Sequence, residues 1–153
     1  MKICIITPTY LPVIGGAEYQ IKYLSEEFAS HGHEVHILAP TYSGYPKKEK
    51  KNDISIFRAF NFRRLWHPLL YYRYIKHIKS FDPDIIYSRY TIPTGFLAAL
   101  LKFYIKKPLV MASGGYDIQI NRESNYGARR NPFKAWMVRY SLKHADFFIV
   151  NNK

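Results

Sequence analysis

Two adjacent glycines, Gly15 and Gly16, close the run Pro8-Thr-Tyr-Leu-Pro-Val-Ile-Gly-Gly-Ala-Glu18. An apolar, β-branched stretch from Ile3 to Thr7 precedes them, and a helical pattern follows. A strand, a glycine turn and a helix leave unpaired backbone N–H groups at the helix start. Those groups, with the helix dipole, favour a bound anion such as a phosphate. Glu18 lies in the first turn, where a carboxylate complements the dipole. The plainer alternative is that glycine only permits a tight turn into the helix. A glycine pair after two prolines and before Glu18 favours the anion.

Two other strand ends carry polar groups. Arg89 follows the apolar run Ile85 to Tyr87, so it is expected to point toward a crevice; an exposed arginine paired with a carboxylate is the alternative. Ser113-Gly114-Gly115-Tyr116-Asp117 follows the run Pro108 to Ala112. Asp117 either accepts hydrogen bonds from substrate hydroxyls or caps its own loop. Arg122, Arg129 and Arg130 make that loop basic, and loop arginines of this kind are read as solvated.

Other chemistries lack their residues. The dinucleotide fingerprint G-x-G-x-x-G is missing, and the second strand ends in Leu38-Ala39-Pro40 without the acid that holds a ribose. There is no Walker sequence and no nucleophile elbow. The six histidines lack metal-ligand grouping, and His33 and His36 fit structural roles beside or within a strand. The single cysteine, Cys4, sits mid-strand, excludes an internal disulfide and reads as an inert core residue.

The elements that must position these groups follow from periodicity. Helix one is expected over 17–31, with Ala17, Ile21, Leu24 and Phe28 on one face and Gly32 as the stop. Strands are expected over 34–39, 54–60, 85–87, 108–112 and 146–150, and 40–53 reads as a polar loop. Helices are expected over 63–81, from Thr91 (as cap, with Pro93 in the first turn), and over 131–144. Alternating strands and helices predict an α/β, Rossmann-like, doubly wound and mostly parallel sheet of about six strands. Three loops, 8–16, 88–91 and 113–130, should meet beyond the carboxyl ends of the strands. The chain stops straight after an apolar strand, so residues 1–153 are expected to be a piece of a longer protein.

Composition bounds the partners. The 153 residues carry a net charge of +12, with one cluster at Lys47-Lys-Glu-Lys-Lys51. A solvated basic loop explains the cluster; attraction to phosphates of a nucleotide, nucleic acid or anionic membrane is the alternative. The basic-aromatic segment 60–81, with Phe62, Trp66, Tyr71, Tyr72 and Tyr74, either packs as core with a wet basic face or contacts anionic lipid. No apolar run approaches the roughly 20 residues of a membrane span. A soluble, cytoplasmic protein is expected, with peripheral contact at the inner face of the cell membrane as an added option.

Taken whole, MKICIITPTYLPVIGGAEYQIKYLSEEFASHGHEVHILAP resembles the amino terminus of glycosyltransferase family 4, retaining enzymes of two Rossmann-like domains (the GT-B fold). DIIYSRY, TGFLAALL, KPLVMASGGYDI and ADFFIV match the family's strand-helix order. The resemblance covers nearly the whole chain but only the first domain. It implies transfer of a sugar from a nucleotide-sugar to a glycan, lipid carrier or small polyol acceptor, completed by a C-terminal domain. Gly15 and Gly16 would approach the donor diphosphate. Glu18, Arg89, Ser113, Gly114, Tyr116 and Asp117 would serve the substrate and acceptor side. No cofactor, no catalytic metal and no nucleic acid partner are implied, and the isolated piece is expected to be inactive. Many relatives carry a histidine where this chain has Gly114, which bears on how the sugar is held. A non-enzymatic basic module binding nucleic acid or anionic membrane is the alternative function.

Overall fold

The computed structural model describes residues 1–60, 68–121 and 123–150. Ile3, Cys4, Ile5 and Ile6 are all buried, so β1 (Lys2–Ile6) offers apolar side chains to both faces, as a central parallel strand must. Beside it run β2 (Glu34–Pro40) and β5 (Ile85–Arg89), with Ile3 opposite Val35 on one side and Ile85 on the other. With β3 (Lys48–Lys51), β4 (Ile54–Phe60), β6 (Leu109–Ala112) and β7 (Phe147–Ile149) they form a seven-stranded sheet, ordered β3-β4-β2-β1-β5-β6-β7. Every neighbouring pair is parallel except β3 and β4.

Helix α1 (Gly16–Ser30) covers one face, where Ile21 packs with Ile3, Ile5, Val35 and Ile37. Helices α2 (Pro68–Phe81) and α3 (Phe96–Ile105) cover the other, packing Ile78, Phe81, Leu97 and Leu101 on Cys4, Ile6, Leu38 and Ile86. Each fully buried isoleucine or leucine there contributes about 1.5–3 kcal/mol by leaving water. Helix α4 (Pro132–His144) joins that face through Tyr140, whose ring centroid is 5.3 Å from that of Phe96. Its start is capped by Asn131, whose side chain accepts from the Lys134 amide at 3.1 Å. Crossovers carry the chain outward from β1 to β2 and, in the opposite direction, from β5 to β6. The carboxyl ends of β1 and β5 therefore flank a switch point, the place where open α/β sheets bind ligands.

The structure departs from expectation in three places. The stretch 40–53 is not all loop: Lys48–Lys51 pairs antiparallel with β4 through a turn at Asn52 (φ 54°), making seven strands rather than about six. Its side chains are exposed, and lysines on an edge strand discourage pairing with another chain. β5 runs on through Arg89, so Arg89 ends the strand rather than following it. Thr91 does not cap α3; residues Thr91–Gly95 form a wide π-type turn and the helix begins at Phe96. Of the helix expected over 63–81, residues 63–67 lie outside the described residues, as do the positions of Phe62, Trp66, Arg122 and 151–153, while the side chains of Leu70 and Tyr71 are not described.

Candidate functional site at the switch point

The loop after β1 is pinned at several points before it reaches the glycines. Thr7 donates its amide to the Leu38 carbonyl at 3.1 Å and its hydroxyl to Thr9 at 2.8 Å; Tyr10 is buried beneath. Gly15 is the helix N-cap with extended backbone (φ −173°), it has no side chain with which to cap the helix, and the first intrahelical bond runs from the Tyr19 amide to the Gly15 carbonyl at 3.1 Å. The amides of Gly16, Ala17 and Glu18 precede that bond at the helix start. Neither glycine sits at positive φ: a Cβ on Gly16 would meet nothing within 4 Å, and one on Gly15 would meet only the mobile end of Glu18, with Oε2 at 2.6 Å. The tight-turn explanation of this pair therefore has no steric support in the chain itself. Glu18 is buried with its carboxylate folded back over Gly15.

Across the switch point, the loops after β5 and β6 are tied by one carboxylate. Asp117 is 3% exposed. Its Oδ2 accepts from the Thr91 amide (2.7 Å) and hydroxyl (2.9 Å), and its Oδ1 accepts from the Gly114 amide (2.9 Å) and Ser113 hydroxyl (3.1 Å). Ser113 Oγ in turn accepts from the Gly115 amide at 2.9 Å, while Gly115 sits at φ +95°, where glycine is favoured. Arg89 is 5% exposed, not a surface arginine; its Nη1 donates to the Ser113 carbonyl at 2.8 Å and its Nε is buried with no partner among the described residues. Its carbonyl accepts from the Thr94 hydroxyl. Tyr116 is largely exposed, edge-on to Tyr126 with centroids 5.2 Å apart. Arg129 and Arg130 are not merely solvated, since they donate to the carbonyls of Ile118 (3.1 Å) and Asn125 (2.8 Å). The loops after β1, β5 and β6 thus converge on one end of the sheet, with a donor-rich helix start on one side and a carboxylate-organised loop on the other.

The sequence profile of Glycosyltransferase Family 4 matches residues 14–153. The chain belongs to glycosyltransferase family 4. An uncharacterized glycosyltransferase of Methanocaldococcus jannaschii is 29% identical over 147 residues, covering 94% of this chain and 39% of that protein. The α-monoglucosyldiacylglycerol synthase of Streptococcus pneumoniae is 26% identical over 147 residues, covering 94% of this chain and 32% of that one. The chain therefore spans about two fifths or less of the length of these relatives. Among solved structures, Anabaena HepE in complex with UDP superposes with a TM-score of 0.53 at 14% identity, over 98% of this chain and 43% of that one. The sheet and its helices are those of a GT-B Rossmann-like domain.

In this family 4 domain Arg58 is a buried charge that residue type alone does not single out. It lies on β4 in register with the inward-facing Ile54 and Ile56, and it is fully buried. Its Nη1 donates to the Leu11 carbonyl at 2.7 Å and its Nη2 to Glu49 Oε2 at 3.4 Å. The rings of Tyr10, Tyr42 and Tyr45 lie 5.4–5.9 Å from its guanidinium carbon. Arg58 thus braces the loop that leads to Gly15. A charged residue at an inward position of an alternating strand was the available signal. Elsewhere, burial raises the Cys4 thiol to about 12, so it stays protonated in the core. A cleft of about 600 Å³ lined by Lys102, Lys106, Lys143 and Asp146 opens at the amino ends of β6 and β7, away from the switch point. A second groove of about 620 Å³, lined by Lys47, Lys48, Arg73 and Lys76 with Phe57 and His77, separates the β3–β4 hairpin from α2.

Proposed function

We propose that residues 1–153 are the N-terminal, acceptor-side domain of a retaining glycosyltransferase that moves a hexose from a nucleotide-sugar to a glycan, lipid carrier or small polyol. The carrying observation is the uncapped start of α1 with open space over Gly16. Glycine lowers helix stability relative to alanine, so a glycine that its own chain does not require suits close approach of a ligand. In this reading the amides at Gly15 and Gly16 receive the donor diphosphate. Glu18 and the exposed Tyr116 offer polar groups to substrate hydroxyls. Arg89, Ser113, Gly114 and Asp117 hold the facing loop in place, with Asp117 acting through that loop because its oxygens are already engaged. A relative of this chain is named for adding a glucosyl group to diacylglycerol, and a structural neighbour was solved with UDP, which supports both substrate classes.

Transfer requires donor and acceptor in register and water excluded. The sheet end is open on this lobe, so a second, C-terminal lobe completes the site and the isolated piece is inactive. The test uses the parent polypeptide. Gly16→Ala should lower kcat/KM for the nucleotide-sugar at least tenfold with no loss of thermal stability. Unchanged turnover in Gly16→Ala, or turnover of a nucleotide-sugar by residues 1–153 alone, would refute the respective half of this assignment.

The basic groove favours a second contact of the same enzyme. Lys47, Lys48, Arg73 and Lys76 line it, and among the described residues no acid does. We assign it, with the 60–81 segment, to an anionic membrane surface. Sedimentation with anionic but not neutral vesicles is the expected result, and equal or absent sedimentation with both overturns it.

A further inference from the structure

Tyr90 leaves β5 at the switch point with φ 70° and ψ 150°. Positive φ in a bulky residue is an outlier that persists only where the surroundings over-determine it, and such outliers gather at ligand sites. The surroundings here do so. Its amide donates to the Ala112 carbonyl at 2.8 Å, and its carbonyl accepts from Ser88 Oγ at 3.3 Å. Two glycines make its room: a Cβ on Gly95 would lie 2.7 Å from the Tyr90 carbonyl oxygen, and one on Gly114 would lie 1.9 Å from ring atom Cε1 and 2.6 Å from Cδ1. The Arg89 guanidinium carbon sits 4.7 Å from the ring centroid.

So the space that a side chain at 114 would fill is taken by the phenol of Tyr90. Burial raises the phenol's pKa; the charge of Arg89 and a hydrogen bond from it draw it back, and the charges of Glu18 and Asp117 raise it further. The hydroxyl is therefore neutral near physiological pH, able to donate and to accept. Its ring, seated on Gly114, places it beside the 113–117 loop, which converges with the start of α1 at the same end of the sheet. If the helix start takes a diphosphate, the next group along a nucleotide-sugar is the sugar itself.

We propose that Tyr90 is a specificity-determining residue whose hydroxyl hydrogen-bonds a hydroxyl of the transferred sugar, and that position 114 is glycine to admit its ring. This rests on the glycosyl-transfer reading above. In the parent polypeptide, Tyr90→Phe removes one oxygen and leaves the packing. Its expected effect is a kcat/KM about tenfold lower for the preferred donor. Discrimination between donors epimeric at one sugar hydroxyl should narrow, while inhibition by the donor's nucleoside diphosphate and the melting temperature stay unchanged. Gly114→Ala should lower the melting temperature of the wild type and not that of Tyr90→Ala. Unchanged kcat/KM and epimer preference in Tyr90→Phe overturn the proposal, as does equal destabilisation by Gly114→Ala in both backgrounds. Failure of the unaltered parent to turn over any nucleotide-sugar removes the glycosyl-transfer reading, and this inference with it; turnover that Tyr90→Phe leaves untouched removes this inference alone.

Discussion

Replacing Asp117 with asparagine swaps one oxygen for an amide nitrogen and keeps the shape. Each carboxylate oxygen faces one hydroxyl and one backbone amide: Thr91 Oγ1 and N at Oδ2, Ser113 Oγ and Gly114 N at Oδ1. A hydroxyl can turn to accept from the new NH₂ group. A backbone amide cannot, so either orientation of the asparagine leaves the Thr91 or the Gly114 amide facing a donor. A buried donor left without a partner costs about 1–3 kcal/mol, and the bonds that survive lose their charge reinforcement, about 1 kcal/mol more. The sum, about 3 kcal/mol, corresponds to about 6–12 °C in a domain of this size. Thermal unfolding of residues 1–153, followed by circular dichroism, measures it. Thr91→Val, which removes one of the bonds and keeps both backbone amides satisfied, should lower the midpoint by about a third as much. An Asp117→Asn midpoint within about 2 °C of the wild type would show that this carboxylate does not organise the crevice loops.

Mild acid should weaken the fold through two half-buried histidines. His77 is held down to about 4, first by burial, then by His36 and Lys48, and His36 is lowered mainly by burial. Their unfolded forms take up protons near pH 6.5, so stability falls as pH drops from about 6.5 toward 4. His77 should account for about 1–2 kcal/mol after solvent screening. Urea unfolding at pH 7 and pH 5 should show this loss, and His77→Phe, which keeps the stack on Phe57 (3.9 Å), should flatten it; an unchanged slope refutes the assignment. The depressed carboxyls of Asp82 (held by Lys107) and Asp146 (held by Lys102) lose their contribution only at lower pH, which keeps the two effects apart. Arg58→Ala should cost about 3 kcal/mol by leaving the Leu11 carbonyl without its donor and a void among Tyr10, Tyr42 and Tyr45, and Arg58→Lys should recover less than half of it; full recovery by lysine would mean that charge alone, not the guanidinium fork, matters.

The elements that the residues announced are those whose burial writes a pattern. β1, β2, β4 and β6 are short apolar runs, and Ile21 and Leu24 mark the inner face of α1, so order and layers followed. β3 was illegible because Lys-Glu-Lys-Lys carries no apolar alternation; its pairing is set by the turn at Asn52 and by β4. At the site, Gly15, Gly16 and the 113–117 loop stood out by residue type. The burial of Arg89, the overlap of Tyr90 with position 114, and the brace at Arg58 depend on contacts between residues 24 to 47 positions apart. No local spacing records such contacts.

Glu49 is a solvent-facing residue on the outermost strand, yet its partner Arg58 also grips the Leu11 carbonyl. The rim of the sheet is thereby a lever on the corner where α1 begins. Substitutions chosen for the hairpin's surface alone, such as charge reversals made to improve solubility, would be felt at that corner.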